Sequence, residues 1–373
     1  MNPASERPLR IGVNTLFLIP REVGGTEIYV RSILPALREV APSLSFVVFT
    51  NRENHDSFGD YPRRRIPVHA TSRPCRILAE QTLLPLAARR AGIDVLYSPG
   101  YTAPAWAPCP QVVTLHDTQF LDYPEDIPWL ARRAQRVLVG CAARRANAIT
   151  TVSRFSAGRI RECLGAPMDK IFVAHSSLSG VFAQPQPCIM KKPFLLYVAN
   201  TYPHKNARRL VEAFAMIADR IPHDLILVGQ PREGEPPPHP RVRRLHYIDY
   251  LELAGLFQGA DALVFPSLYE GFGRPIVEAM EAGTRVIAAR TGSAPEIGGA
   301  AATYFDGMNV EAIAHAMLEV LQETPETRAA HIEEGRRWAR RYTWQECARQ
   351  TLAAFRHAME KAPGRAAPRS PVS

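Results

Sequence analysis

Short apolar runs alternate with stretches of helical spacing along nearly the whole chain, and this alternation constrains the fold more than any other feature. Runs such as Val95–Ser98 and Ala262–Phe265 are typical of strands buried in a parallel sheet. Helix-like stretches such as Trp129–Ala146 lie between such runs. Because strands that alternate with helices form parallel sheets covered by helices, we expect an α/β protein. At 373 residues the chain exceeds one ordinary core, so two doubly wound, Rossmann-like domains are predicted.

One proline-rich polar stretch, AQPQPCIMKKP, separates the two halves and is predicted to be a linker over 183–193. The expected domains are therefore 1–182 and 194–343, with a ligand between them at the carboxyl ends of the strands. A helix over 344–361 is expected to pack back on the first domain. The tail, 362–373, contains Pro, Arg and Ser and is expected to be disordered.

Composition excludes several classes of protein. The net charge is +9, which suits nucleic acid, anionic lipid or a phosphorylated substrate as a partner. The arginine clusters lack the interleaved aromatic residues of a nucleic-acid surface, so we expect no nucleic acid. No apolar run approaches the ~20 residues of a spanning helix. The 6 cysteines form no CxxC pair and fit reduced thiols in the cytoplasm.

The stretch FPSLYEGFGRPIVE, from Phe265 to Glu278, is the strongest functional signal. It begins at the end of a predicted strand, passes through a turn with Gly271 and Gly273, and enters a helix at Pro275. Free N–H groups at a helix N-terminus, together with the positive end of the helix dipole, attract anions. The stretch therefore predicts a site for an anionic ligand above the sheet.

Two carboxylates, Glu270 and Glu278, flank this turn. On a single helix they would lie ~12 Å apart, at a rise of about 1.5 Å per residue. Carboxylate pairs that hydrolyse a glycosidic bond lie roughly 5–9.5 Å apart. The spacing therefore favours a grip on two parts of one long ligand, with Glu278 on vicinal hydroxyls such as those of a ribose and Glu270 on a sugar. Two unrelated surface carboxylates are the alternative.

Three other positions at predicted strand ends are candidates for chemistry. Lys205, in YPHKN, could place its ammonium on a diphosphate. Gly24 and Gly25 form a second glycine turn, where backbone can approach a ligand closely. His116 follows the predicted strand Gln111–Leu115 and could orient or deprotonate an acceptor hydroxyl. The ordinary interpretations are a solvated lysine, a plain turn and a structural histidine.

The predicted helix Trp129–Ala146 combines arginines with an apolar stripe that includes Leu130 and Val137. This composition suits a helix that rests on anionic headgroups. A solvated arginine face above a buried stripe explains it equally simply.

These motifs resemble the family-4 glycosyltransferases, which are retaining enzymes of the GT-B fold. The resemblance is strongest in YVANTYPHKNARRLVEAF, ADALVFPSLYEGFGRPIVEAMEAGTRVIAA and GSAPEIGGAAATYFD. GGTEIYV and TLHD resemble the family's N-terminal glycine turn and its cleft histidine. The resemblance implies two Rossmann-like domains that face a cleft, and catalysis without a bound metal or other cofactor.

The resemblance also implies roles by position. Lys205 would bind the donor diphosphate, Glu278 the ribose and Glu270 the transferred sugar. The residues implied to be catalytic are His116, Lys205 and Glu270, and those implied to bind the donor are Gly24, Gly25, His204, Lys205, Glu270, Gly271, Phe272, Gly273, Arg274 and Glu278. The family's second diphosphate cation is missing, because Asn200 and His204 stand where arginines are usual. Arg274 or an arginine of the first half is the expected replacement.

The implied function is a cytoplasmic hexosyltransferase at the inner face of a membrane, with peripheral contact to anionic lipid. It would pass a hexose from a nucleotide-sugar donor to a lipid-linked or oligosaccharide acceptor in surface-polysaccharide assembly. GDP-mannose is the first expectation for the donor, and UDP-glucose, UDP-N-acetylglucosamine and dTDP-rhamnose stay open. Alternatives are a GT-B epimerase or phosphorylase, a basic nucleic-acid-binding protein and a catalytically inactive GT-B subunit.

Overall fold

The structure, a computed structural model, describes residues 8–20, 24–124, 128–178, 180–190 and 193–361. The chain divides into two compact units. The first is drawn from Met1–Leu121, Ile127–His175 and Trp344–Ser373, and the second from Asp122–Asp126 and Ser176–Thr343. The expected disordered tail, 362–373, and positions 191–192 of the expected linker lie outside the described residues.

The first unit is built on a 7-stranded sheet in which every pairing is parallel, with the order β3-β2-β1-β4-β5-β6-β7. Its strands are β1 (Arg10–Asn14), β2 (Ser45–Thr50), β3 (Arg63–Arg65), β4 (Val95–Ser98), β5 (Gln111–Thr114), β6 (Ala148–Thr151) and β7 (Ile171–Val173). Its helices are α1 (Gly25–Val40), α2 (Arg73–Ala91), α3 (Gln119–Asp122) at its boundary, α4 (Trp129–Arg145), α5 (Arg154–Leu164) and, from the end of the chain, α12 (Trp344–Glu360).

Helices cover both faces of this sheet because successive strand residues point to opposite sides. Leu96 of β4 packs in the cluster that contains α2, whereas its neighbour Tyr97 contacts Phe355 of α12 at 5.2 Å between ring centroids. Leu96 pairs with Gln111, two residues before Val113, which packs in the cluster that contains α4 and α5. Helices α2, α4 and α5 therefore share one face, and α12 lies on the other.

The second unit has a 6-stranded sheet, also entirely parallel, with the order β10-β9-β8-β11-β12-β13. Its strands are β8 (Phe194–Val198), β9 (Asp224–Val228), β10 (Val242–Leu245), β11 (Ala262–Phe265), β12 (Arg285–Ala289) and β13 (Ala302–Phe305). Its helices are α6 (Ala207–Ile217), α7 (Tyr250–Gly259), α8 (Arg274–Ala282), α9 (Ala294–Gly298), α10 (Val310–Leu321) and α11 (Pro325–Ala339). Helices α6 and α10 pack in one apolar cluster with β8, β9, β11 and β12.

Two features of the strands differ from the sequence predictions. The stretch Leu245–Ile248 predicts a strand from its sequence, but the strand lies at Val242–Leu245, where Val242 pairs with Leu225 of β9. The second is β3, three consecutive arginines that the sequence indicated only as surface charge. Both strands lie at a sheet edge, where one side is unpaired and polar side chains are tolerated, so apolar patterning locates them poorly.

The order of each sheet defines a switch point. In the first unit, β1 pairs with β2 on one side and with β4 on the other. In the second unit, β8 pairs with β9 on one side and with β11 on the other. Loops that leave two such strands diverge and open a crevice beyond their carboxyl ends, where ligands bind in open α/β sheets. In the second unit, therefore, the loops after β8 and β11 are expected to line a site.

Candidate active site

The switch point of the second unit brings Lys205 and Glu270 together. Lys205 ends a single 3₁₀ turn after β8, and Glu270 lies in the loop after β11. The Nζ atom of Lys205 donates to Oε1 of Glu270 at 2.6 Å. The side chains are 19% and 15% exposed, so the ion pair is shielded but within reach of a ligand. Two charges that are 65 residues apart in sequence thus share one crevice.

A third loop, after β12, supports the backbone at Glu270. Gly292 has φ of +58°, and a Cβ atom there would lie 2.9 Å from the Glu270 amide nitrogen. The next residue, Ser293, donates its N–H to the Glu270 carbonyl at 3.3 Å. Only glycine permits this approach. Gly292 and Ser293 begin the stretch GSAPEIGGAAATYFD, but the sequence indicated no site role for them, although β12 neighbours β11 and its carboxyl end therefore lies at the same edge.

The turn Gly271–Gly273 leads directly into the N-terminus of α8. Gly273 occupies the N-cap with φ of +84°, and no side chain caps this end of the helix. Phe272 is buried against Tyr342, with ring centroids 5.5 Å apart, which fixes the turn. The predicted glycine turn and helix N-terminus are confirmed, with the helix starting at Arg274, one residue earlier than expected.

Glu278 lies one turn into α8 and has a cation of its own. Its Oε1 accepts from Nη2 of Arg274 at 3.3 Å, and the same nitrogen donates to the hydroxyl of Tyr250 at 3.1 Å. Burial raises the pKa of Glu278, and the Arg274 charge opposes that shift. Glu270 and Glu278 therefore belong to two separate ion pairs and do not face one another as a shared acid–base pair.

His204 is buried and does not present a cation to the crevice. Its ring is 1% exposed and lies between Tyr123, at 5.5 Å, and Tyr202, at 6.0 Å between centroids. Burial, with the neighbouring Lys205 charge, lowers the pKa of His204 to about 4. The ring is thus neutral near pH 7, and the sequence could not indicate this because Tyr123 comes from a distant segment.

In the first unit, His116 lies just beyond the carboxyl end of β5. Its Nε2–H donates to the Pro99 carbonyl at 3.0 Å, which assigns the tautomer and leaves Nδ1 as an acceptor. The ring packs edge-on against Tyr29 at 4.9 Å and beside Tyr101 at 5.2 Å. Burial lowers the pKa of His116 to about 4. The neutral imidazole is therefore better suited to orienting a hydroxyl than to removing its proton.

Gly24 and Gly25 form the start of α1, as the glycine turn predicted. Gly24 is the N-cap, with φ of +62° and ψ of −127°, and no side chain caps the helix. Among the described residues, no heavy atom would lie within 4 Å of a Cβ atom at either position. The turn is therefore exposed and open, with backbone N–H groups at the end of a helix of 16 residues.

Helix α4 does not bury the stripe that its sequence suggested. Leu130 and Val137 are 65% and 67% exposed, and Trp129 is 64% exposed beneath the guanidinium of Arg133. The side that packs on the sheet consists of small residues and Val139. The interpretation as a solvated face over a buried stripe is thus wrong for these residues.

No helix in the described ranges is long and apolar enough to cross a bilayer.

Comparison with known proteins identifies the class and the family. One family model, "Glycosyl transferases group 1", matches residues 182–338, and another, "Glycosyltransferase Family 4", matches 23–177. The chain is 29% identical to O-antigen chain mannosyltransferase B of Escherichia coli over 66% of its own length and 70% of that protein. It is 27% identical to an MMP alpha-(1->4)-mannosyltransferase of Mycolicibacterium hassiacum over 59% of its length and 56% of that protein.

Among solved structures, sucrose-phosphate synthase of Thermosynechococcus elongatus superposes with a TM-score of 0.75 at 18% identity, covering 95% of this chain and 100% of that one. Two parallel-sheet Rossmann-like domains, with charged loops at a switch point, define the GT-B class of glycosyltransferases. Residues 23–177 thus match the glycosyltransferase family 4 model and residues 182–338 the group 1 model, and these two glycosyltransferase matches together span most of the chain.

Proposed function

We propose that this glycosyltransferase moves a hexose, with retention of anomeric configuration, from a nucleotide-sugar donor to a lipid-linked or oligosaccharide acceptor in surface-polysaccharide assembly. The observation that carries the proposal is the 2.6 Å Lys205–Glu270 pair at the switch point beside the uncapped end of α8. A diphosphate needs a cation and N–H donors, and Lys205 with the N-terminus of α8 would supply both.

The residues of the second unit take distinct roles in this reaction. The Lys205 ammonium and the N–H groups of Phe272 and Gly273 would stabilise the negative charge that grows on the diphosphate as the sugar–phosphate bond breaks. Glu270 orients Lys205 and contacts the transferred sugar. His204 supplies no charge, since burial keeps it neutral.

His116 of the first unit would act on a sugar or acceptor hydroxyl. Its Nδ1 can accept a hydrogen bond while Pro99 holds Nε2–H. Gly24 and Gly25 would admit a phosphate close to the backbone at the start of α1.

GDP-mannose is the proposed donor. Several relatives bear mannosyltransferase names, and O-antigen chain mannosyltransferase B acts, by its name, on an O-antigen chain. UDP-glucose, UDP-N-acetylglucosamine and dTDP-rhamnose are the competing donors, and several other relatives carry the name D-inositol 3-phosphate glycosyltransferase.

A thermal-shift screen with these four donors tests the assignment, because a bound donor raises the melting temperature by mass action. GDP-mannose at about 100-fold above its Kd should stabilise the protein by about 2.7 kcal/mol. Transfer of labelled mannose to a lipid-linked oligosaccharide extract then separates an active enzyme from an inactive binding subunit. A shift with DNA or RNA but with no donor would refute the proposal.

The peripheral membrane contact is proposed for the face covered by α2 and α4. Both helices lie on the same side of the first sheet, and both expose apolar side chains next to arginines. These side chains are Leu78, Leu83 and Leu86 on α2 and Trp129, Leu130 and Val137 on α4. Apolar side chains that enter the headgroup region, flanked by cations, favour an anionic bilayer.

Flotation with vesicles tests this contact. The wild type should float with phosphatidylcholine vesicles that contain anionic phosphatidylglycerol, and less with phosphatidylcholine alone. Replacing Leu130 and Val137 with Ser should reduce flotation, whereas Met216→Ser, at a 53% exposed position in the second unit, should not. Equal flotation of all variants would exclude this face.

A further inference from the structure

Arg274 is the first residue of α8, and the structure directs its guanidinium along the helix toward Glu278. Both N–H groups of Nη2 have acceptors, the Tyr250 hydroxyl at 3.1 Å and Oε1 of Glu278 at 3.3 Å. Nη1 is buried and has no hydrogen-bond partner among the described residues. The group is therefore held by its Nη2 contacts, and its side chain is only 17% exposed.

Glu278 depends on this arginine for its charge and its orientation. Its side chain is 7% exposed, and in the described part of the chain Arg274 is its one ion-pair partner. The nearest other carboxyl group of α8, Glu281, repels it electrostatically, because Glu278 contributes to raising the Glu281 pKa. A buried carboxylate that loses its counter-charge becomes neutral or turns toward water.

Tyr250 holds the second N–H of Nη2, the nitrogen that also donates to Glu278. Its ring packs edge-on against Phe182, with centroids 5.1 Å apart, and so places the hydroxyl on α7 at a set position. Helices α7 and α8 thus hold Arg274 between a fixed hydroxyl and the carboxylate. A planar guanidinium can serve both acceptors through one nitrogen, which a lysine ammonium does with a different geometry.

We infer that Arg274 is a positioning residue, which with Tyr250 holds Glu278 as an oriented carboxylate that accepts hydrogen bonds from the ribose hydroxyls of the donor. The inference rests on the proposed donor site and deepens it. It also answers which of two tasks Arg274 performs. Because Nη2 already donates to Tyr250 and Glu278, the inferred role of Arg274 is to act through that carboxylate and not as the second cation of the diphosphate.

Nucleotide pairs that differ only in the ribose separate these tasks. Isothermal titration would measure the Kd of GDP and 2′-deoxy-GDP, and of UDP and 2′-deoxy-UDP, for the wild type and for Arg274→Leu, Arg274→Lys and Tyr250→Phe. Arg337→Leu is the matched control, because this arginine is exposed on α11 in the same unit. Circular dichroism melting checks that each variant folds.

The wild type should prefer the ribonucleotide at least about tenfold, because the deoxynucleotide lacks the 2′-hydroxyl that would donate to the charged carboxylate. In Arg274→Leu the preference should fall to about one, while the Kd of the deoxynucleotide changes less than about threefold. Arg274→Lys should recover part of the preference, Tyr250→Phe should reduce it about threefold, and Arg337→Leu should match the wild type.

Three other outcomes overturn the inference in distinguishable ways. If Arg274→Leu weakens ribo- and deoxyribonucleotides equally, Arg274 binds the diphosphate and does not position Glu278. If the wild type binds neither nucleotide pair, the proposed donor site fails and the inference fails with it. If Arg274→Leu does not fold, an unchanged preference in Tyr250→Phe would still refute the arrangement.

Discussion

The two switch points of this molecule have the same topology and different chemistry. In the second unit the crevice holds a partly exposed ion pair, Lys205 with Glu270, next to a helix N-terminus. In the first unit Pro99 lies in the loop after β4, and its carbonyl accepts from His116 of the neighbouring loop after β5, whose pKa of about 4 keeps the ring neutral. The first unit also contains a carboxylate, Glu80 of α2, but it is fully buried and accepts from Thr102 at 3.0 Å and from Asn14 at 3.3 Å.

This difference agrees with the roles proposed above for the two units. A diphosphate carries charge and requires a cation, whereas a sugar or acceptor hydroxyl requires a neutral hydrogen-bond partner. The doubly wound sheet supplies a crevice in both units, and the residues that follow the strands decide its use. Four changes test this division, from the largest expected effect to the smallest.

Removing the cation from the second crevice should have the largest effect. Lys205→Met leaves Glu270 without its partner and removes the charge proposed for the diphosphate, so turnover should fall about 10²–10³-fold. The measurement is the initial rate of sugar transfer at saturating donor. Arg220→Met, at an exposed position in the same unit, serves as control. Wild-type turnover in Lys205→Met would contradict the claim that the crevice of the second unit acts through the charge of Lys205.

The buried carboxylate of the second unit comes next. Glu278→Gln keeps the shape and removes the charge, so the donor Kd should rise about 10–100-fold, as expected when a charge-assisted hydrogen bond worth roughly 1.5–3 kcal/mol is lost. Donor titration by calorimetry measures this. Unchanged affinity would show that Glu278 serves the fold through Arg274 and not the ribose.

Acid should destabilise both units through their neutral histidines. The pKa values of His116 and His204 are about 4 in the folded protein, below the ordinary 6.5. Between these values the unfolded chain binds more protons, so stability is full above pH 6.5 and declines as the pH falls toward 4. The slope is about 1.4 kcal/mol per pH unit for each histidine.

Unfolding curves at pH 7 and pH 5 measure this loss, which should be about 2 kcal/mol for each histidine. His116→Asn and His204→Asn should each remove their own share of the pH dependence. If only one variant reduces the pH dependence of the free energy of unfolding, then only the unit that contains that histidine loses stability in acid through it.

The smallest effect concerns the backbone of the second crevice. Gly292→Ala imposes left-handed strain of about 1–2 kcal/mol and presses a methyl group toward the Glu270 amide. Melting temperature measures the strain, and the donor Kd should rise modestly because the Glu270 loop moves.

In the first unit a tyrosine, Tyr101, adopts φ of +68°, so Tyr101→Gly should relieve strain there. Equal stability of Gly292→Ala and the wild type would contradict the tight approach.

Much of this fold was predictable from local pattern. The bounds of β4 and β11 follow from the apolar runs Val95–Ser98 and Ala262–Phe265. Serine is a favoured N-cap, and Ser153 caps α5, with its Oγ accepting from the Ser156 N–H at 3.0 Å. Buried parallel strands are apolar on both faces, which makes their runs distinct. The edge strands β3 and β10 carry arginines in place of a continuous apolar run. The sequence therefore did not indicate β3 and placed β10 about three residues too late.

The site was predictable as a set of residues and not as an arrangement. The glycine turn at Gly273 and the carboxylates follow from the stretch around it. The Lys205–Glu270 contact depends on β8 and β11 being neighbours, which local pattern does not determine. The burial of His204 depends on Tyr123, which lies far away in the sequence.

The last helix of the chain completes the core of the first unit, and this has a consequence for biosynthesis. Helix α12 packs on α1 and across β4 to β7, where it buries Cys347, Leu352 and Phe355. A ribosome delivers these side chains only after the whole second unit has been made. We therefore expect the surface of the first unit that α12 covers to stay exposed while the second unit is synthesised. During that time the exposed apolar surface can bind a chaperone.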